Sequence, residues 1–177
     1  VQEIEVFLTV CDPRLVLLVW FSLLTGLRKQ EALKFRWEDV APDLSAITAH
    51  RGKKGTFPSI PVTAKLRQLL VDIGHKKEGP LFELSAMTFR LLFDRARRDA
   101  GLQHFTWHDL RRTFGSHFVM ATKARPSLRK LFGHRTMFMV DRYAYLDDDH
   151  LRTQMEAFDA AMPDLPAALR QLVPVED

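Results

Sequence analysis

Apolar positions fall into blocks along the chain, and the blocks are bounded by glycines, prolines and capping residues. The densest block is Leu15–Leu24, cut only by Ser22. Asp12 before Pro13 supplies a capping carboxylate and a proline at the first helical position, so a helix opens there and runs through about Leu24. Gly26 breaks it, and a short helix from about Arg28 to Phe35 follows. Leu44–His50 and Phe57–Val62 alternate in part around the turn-prone Arg51-Gly52-Lys53-Lys54-Gly55, which predicts a small β-hairpin. Thr63 caps a helix to about Ile73. Ser85 begins another, with Phe89, Leu92, Phe93 and Ala96 at helical spacing and Gly101 at its end. Trp107 to about Ala121 reads as a buried helix, Pro126–Phe132 as a short one closed by Gly133, and Met137–Tyr145 as a further one. Two amphipathic pieces follow, about Asp149–Ala161 and Leu165–Leu172, separated by Pro163 and Pro166. The pattern predicts a mostly α fold with one small antiparallel sheet.

Composition narrows the class. The chain has 177 residues, 46% hydrophobic and 27% charged, which predicts a packed core rather than disorder. No apolar run reaches the ~18 residues of a membrane helix. A single cysteine, Cys11, excludes a disulfide framework and any multi-cysteine zinc site. An intracellular, cytoplasmic protein is expected. The chain begins at Val1 without a signal pattern, so a fragment of a longer protein is expected. Net charge is +4, but it is unevenly placed. From Leu146 to Asp177 there are eight acidic and two basic residues, so that tail carries −6 and residues 1–145 carry +10. A basic body favours a polyanionic partner, with nucleic acid foremost, although a solvated charged surface has the same composition.

Five clusters hold the candidate chemistry. In Thr25-Gly26-Leu27-Arg28-Lys29-Gln30-Glu31, Arg28 follows a tight turn at a helix start, where guanidinium and helix dipole together suit an anion. Lys53 and Lys54 sit at the hairpin tip, a place from which lysines touch phosphates or simply face water. In Trp107-His108-Asp109-Leu110-Arg111-Arg112-Thr113-Phe114, His108 and Arg111 share a helix face, which sets an imidazole and a guanidinium over one anion, while Leu110 and Phe114 pack inward. Arg112 points elsewhere. The fourth cluster is Leu131-Phe132-Gly133-His134. The fifth, Asp141-Arg142-Tyr143-Ala144-Tyr145, holds both tyrosines of the chain. Each alone is compatible with an ordinary surface or core residue. His104 and His108 are four apart but do not form an HExxH helix, and no carboxylate cluster suits two-metal phosphoryl transfer, so no metal or other cofactor is expected.

Taken in order, these clusters resemble the tyrosine recombinases, also called the phage integrase family. The resemblance rests on Thr-Gly-Leu-Arg-x-x-Glu at 25–31, Lys-x-Gly before Ile-Pro-Val at 53–62, His-Asp-Leu-Arg at 108–111, Phe-Gly-His at 132–134 and Arg-Tyr at 142–143. Leu33 and Phe35–Val40 also look like the family's segment after the first arginine. It implies a recombinase-like catalytic domain over residues 1–146, an amphipathic tail of the same domain over 147–177, and a separate N-terminal DNA-binding domain absent from this chain. It implies further that Tyr143 is the nucleophile, that Arg28 and Arg111 grip the scissile phosphate, and that Lys53 protonates the leaving oxygen. His108 and His134 would complete the site. Lys54 rivals Lys53 for its role, and Glu31 looks structural. Two departures stand out: Arg112 occupies a position where many members carry a second histidine, and Met137-Phe138-Met139 is unusually apolar.

The implied activity is site-specific DNA recombination or integration for a phage or other mobile element, through a covalent 3′-phosphotyrosyl intermediate and without metal. The implied partners are double-stranded DNA and further copies of the chain in a tetrameric synapse, and no membrane. A type IB topoisomerase-like nicking-closing enzyme and a DNA-binding module without catalysis are the alternatives. The chemistry is self-consistent. Two guanidiniums offset the charge that grows on the nonbridging oxygens. A phenol of pKa ~10 needs a proton acceptor, which imidazoles of pKa ~6.5 provide.

Overall fold

The computed structural model describes residues 2–49, 59–74, 76–122, 124–132 and 148–162. Its centre is α2 (Pro13–Thr25), in which ten residues from Leu15 to Thr25 are buried, so the helix meets protein on every side. Local chemistry sets both of its ends. Asp12 Oδ1 accepts the Arg14 N–H at 3.0 Å, and Gly26 closes the helix in the left-handed region at φ 66°, its N–H donating to the Ser22 carbonyl.

A helix absent from the pattern above, α1 (Gln2–Thr9), covers one end of this core. Ile4, Phe7 and Leu8 stand at i, i+3 and i+4, and Phe7 sits 5.2 Å from the Phe93 ring and 4.9 Å from that of Phe105. The next helix, α3 (Lys29–Leu33), is shorter than the expected Arg28–Phe35. Its last residues leave the helix for a better partner. The Phe35 carbonyl accepts the Leu81 N–H at 2.8 Å and Arg36 bridges to Pro80, after which Trp37–Asp39 form one 3₁₀ turn.

The hairpin is present in the expected antiparallel sense. In it β1 (Ala46–Thr48) pairs with β2 (Ser59–Pro61), Ile47 facing the buried Ile60. Its turn, residues 51–58, lies outside the described residues. Thr63 caps α4 (Ala64–Ile73), and Ser85 caps α5 (Ala86–Asp99). At the end of α5, Leu102 donates to the Arg97 carbonyl and Gly101 to that of Arg98, a paired closure that needs the left-handed φ of 69° at Gly101.

Three helices complete the core: α6 (Trp107–Thr122), α7 (Arg125–Phe132) and α8 (Asp148–Ala160). Helix α6 lies against α2 and receives α7 and α8, and α8 also touches α4 and β2. Phe158 of α8 is fully buried, 4.8 Å from the Phe114 ring and 6.2 Å from that of Phe118. The expected helices over 137–145 and 165–172 lie outside the described residues. Among the described residues no helix is long and apolar enough to cross a membrane.

Candidate active site

The buried C-terminal end of α2 fixes the first candidate. Gly26 is compelled twice. Its φ is one that side chains rarely adopt, and an added Cβ would lie 2.6 Å from a ring carbon of Phe114 and 2.8 Å from one of Phe132. The turn delivers Arg28 to the start of α3, where Glu31 holds it at both ends. Glu31 Oε2 accepts the Arg28 backbone N–H at 2.8 Å, and Oε1 accepts the guanidinium at 2.9 Å. With 47% of its side chain exposed against 10% for Glu31, Arg28 presents its guanidinium outward from a fixed base. Glu31 therefore aims the arginine, in keeping with the structural role expected for it.

Arg111 is placed differently. It shares a face of α6 with His108 by spacing, but His108 is exposed whereas Arg111 is 3% exposed and turned inward. Its Nη1 donates to the Gly26 carbonyl at 2.5 Å and its Nη2 to the Phe132 carbonyl at 3.1 Å. The guanidinium carbon lies 3.7 Å from the centre of the Phe132 ring. Two carbonyl dipoles and an aromatic face compensate a buried cation that would otherwise be costly. The planar fork matters, because one side chain reaches two separate backbone segments.

Arg111 thereby joins three of the five clusters. The Gly26 carbonyl belongs to the turn two residues before Arg28, Arg111 follows His108 by one turn of α6, and Phe132 stands two residues before His134. Phe114 packs 5.7 Å from Phe132 in the same junction. Lys53, His134 and Tyr143 themselves lie outside the described residues.

Arg112 faces away, as expected, pairing with Asp109 at 3.1 Å. Asp109 also accepts the Thr106 N–H at 2.8 Å and its hydroxyl at 2.6 Å, which caps the start of α6. Partial burial pushes the Asp109 carboxyl upward, but the hydrogen bonds from Thr106 and Arg112 outweigh it and hold the group below the ordinary carboxylate range. A cleft of about 510 Å³ opens between α3, α5 and Trp107, lined by Lys29, Arg90 and Arg97 against Asp94. Lys29 lies over the Phe89 ring at 5.7 Å. Among the described residues no group of three His, Cys, Asp or Glu could hold a metal ion.

Gly26→Ala is expected to lower unfolding stability by about 2–4 kcal/mol, from left-handed strain plus overpacking. Urea unfolding measures it. A variant within ~0.5 kcal/mol of the parent would show that the Phe114–Phe132 junction yields freely.

The chain matches the model of the "Phage integrase family" over residues 1–150. It is 31% identical over 159 residues to the integrase of Haemophilus phage HP1, which covers 88% of this chain and 45% of that protein. It is 32% identical over 139 residues to the integrase of Escherichia phage 186, covering 78% and 40%. Tyrosine recombinase XerC of Xanthomonas campestris is 28% identical over 150 residues, covering 78% and 45%. The chain thus spans less than half the length of these curated relatives. The integrase from mycobacterium phage Brujita superposes with a TM-score of 0.69 at 16% identity, over 97% of this chain and 61% of that one, a likeness of fold.

Proposed function

The chain belongs to the phage integrase family, and we propose that it is the catalytic domain of a site-specific DNA recombinase that cuts and rejoins strands through a phosphotyrosyl bond. The observation that carries this reading is the reach of Arg111, which ties the Arg28 turn, α6 and the end of α7 into one junction. Arg28, fixed by Glu31 yet half exposed, suits the nonbridging oxygens of a phosphodiester. The basic cleft lined by Lys29, the next residue in the chain, suits the neighbouring backbone of duplex DNA.

In the proposed reaction the Tyr143 phenolate oxygen attacks the phosphorus and forms a 3′-phosphotyrosyl bond. The bond to the 5′ oxygen breaks, and that oxygen leaves as a hydroxyl with a proton from Lys53. Arg28 and Arg111 offset the charge that grows on the phosphoryl oxygens, the part a metal ion plays elsewhere. His108 and His134 take the phenol proton or hydrogen-bond the phosphate. Attack by another 5′ hydroxyl reverses the steps and joins a new pair of ends, because the bond energy stays in the phosphotyrosine. Residues 1–146 carry this chemistry, 147–177 extend the same domain, and a synapse of four copies brings two duplexes together.

The test is a duplex with a nick beside the cleavage point, so that the freed end diffuses away and the adduct accumulates. A protein–DNA adduct that survives denaturant and forms in excess EDTA is expected, with binding that weakens steeply between roughly 50 and 200 mM salt. An adduct that requires Mg²⁺ while binding does not would overturn the mechanism.

A further inference from the structure

The contact between α4 and α8 contains a buried polar centre that the chemistry above leaves unused. Asp159, on the last turn of α8, is 7% exposed. Its Oδ1 accepts the Thr63 hydroxyl at 3.0 Å, and its Oδ2 accepts the Lys65 backbone N–H at 3.2 Å. In return the Lys65 ammonium donates to the backbone carbonyls of Asp159 and Met162. Each helix end therefore supplies the cap of the other: a carboxylate at the N-terminal turn of α4 and an ammonium at the C-terminal turn of α8, both in the favourable sense of the helix dipole. Burial pushes the Asp159 carboxyl above its ordinary range, and the bonds from Thr63 and Lys65 only partly offset it.

A buried carboxylate is a costly way to join two helices, since apolar side chains of similar size hold them as well. What it adds is a fixed register. The sequence shows which register is at stake. Helix α4 follows β2 after two residues, and Lys53 stands six residues before Ser59, where β2 begins. Helix α8 begins at Asp148, five residues after Tyr143. β2 and α8 are themselves in contact. Beside Asp159, Phe158 is seated on Phe114 and Phe118 of α6, the helix that carries His108 and Arg111.

We propose that Asp159 is a positioning residue that, with Thr63 and Lys65, sets the Lys53 hairpin and the Tyr143 segment in one frame with α6. The inference rests on the recombinase reading and deepens it. Asp159 touches no reacting atom. It acts on where the leaving-group acid and the nucleophile are hung.

The experiment compares two nicked duplexes, one with the ordinary 5′ oxygen and one with sulfur at that bridging position, because a thiolate leaves without a proton. In single-turnover cleavage at saturating DNA, Asp159→Ala is expected to slow the oxygen substrate by at least ~10-fold, as displaced catalytic groups do. The sulfur substrate is expected to recover part of that loss, and DNA affinity to stay within about twofold, the binding contacts being elsewhere. Asp159→Glu is expected to restore part of the rate. A general loss of structure would lower both substrates and DNA affinity alike. Lys65→Met keeps the aliphatic packing and the carboxylate, and serves if Asp159→Ala does not fold; the same preference for sulfur is expected of it. Losses equal on both substrates, or absent on both, overturn the proposal. A parent chain that forms no adduct with either substrate overturns the recombinase reading and this inference with it. A parent that cleaves, with variants that show no sulfur preference, overturns the inference alone.

Discussion

Tyr143→Phe is expected to abolish the covalent adduct while the chain stays folded and bound to DNA. The substitution removes one oxygen and keeps the ring, so the nucleophile is lost and little else changes. No nearby residue replaces it cheaply. Tyr145 is the only other phenol in the chain, and at the helical spacing the sequence predicts, a residue two positions on faces a different side. Tyr145→Phe is therefore expected to cleave at close to the parent rate. Adduct formation on a nicked duplex, read on a denaturing gel beside a binding titration, checks both variants. If Tyr145→Phe is the variant without adduct, the nucleophile is misassigned.

Removing either arginine is expected to cut the cleavage rate by at least ~10², the usual cost of losing one preorganised charge stabiliser. The structure separates the two. Arg28 is half exposed and paired with Glu31 at the surface of the turn, so Arg28→Ala is expected to cost rate with little change in melting temperature. Arg111 is buried beneath Phe132 and holds two carbonyls from distant segments. Arg111→Ala leaves those acceptors without their partner and opens space in the junction, so about 2–4 kcal/mol of stability is expected to go with the rate. Lysine is not expected to rescue either position. At position 28 one ammonium cannot grip two phosphoryl oxygens, and at position 111 it cannot reach Gly26 and Phe132 together. Single-turnover cleavage with thermal melting of the four variants measures this, and near-normal cleavage by both lysine variants would defeat the bidentate picture.

The ends of the helices were legible because they are written in local chemistry. Asp12-Pro13, Thr63 and Ser85 cap helices within three residues of themselves, and Gly26 and Gly101 stop them through backbone freedom that no other residue has so cheaply. Where a boundary depended on a distant partner, the pattern overshot. Phe35 continues the apolar spacing of α3, yet its carbonyl is drawn to Leu81, 46 residues on, and the helix ends at Leu33. Helix α1 was missed because its eight residues carry only a short apolar stripe, whose partners Phe93 and Phe105 are remote in sequence.

The helical class, the hairpin and the candidate residues are readable from short stretches, because motif order and capping are local properties. What each candidate does with its charge follows from packing between segments far apart in the chain. Spacing sets His108 and Arg111 on one face of α6, but whether a guanidinium faces water or two carbonyls depends on Gly26 and Phe132, which arrive from 85 and 21 residues away. Nor does any local pattern distinguish Asp159 from the other acids of the −6 tail. Its burial against Thr63 and Lys65, over 90 residues upstream, follows from Phe158 filling the space between Phe114 and Phe118. A charge that looks solvated in the sequence becomes a joint in the fold because its partners come from a segment more than 90 residues away, brought beside it by packing.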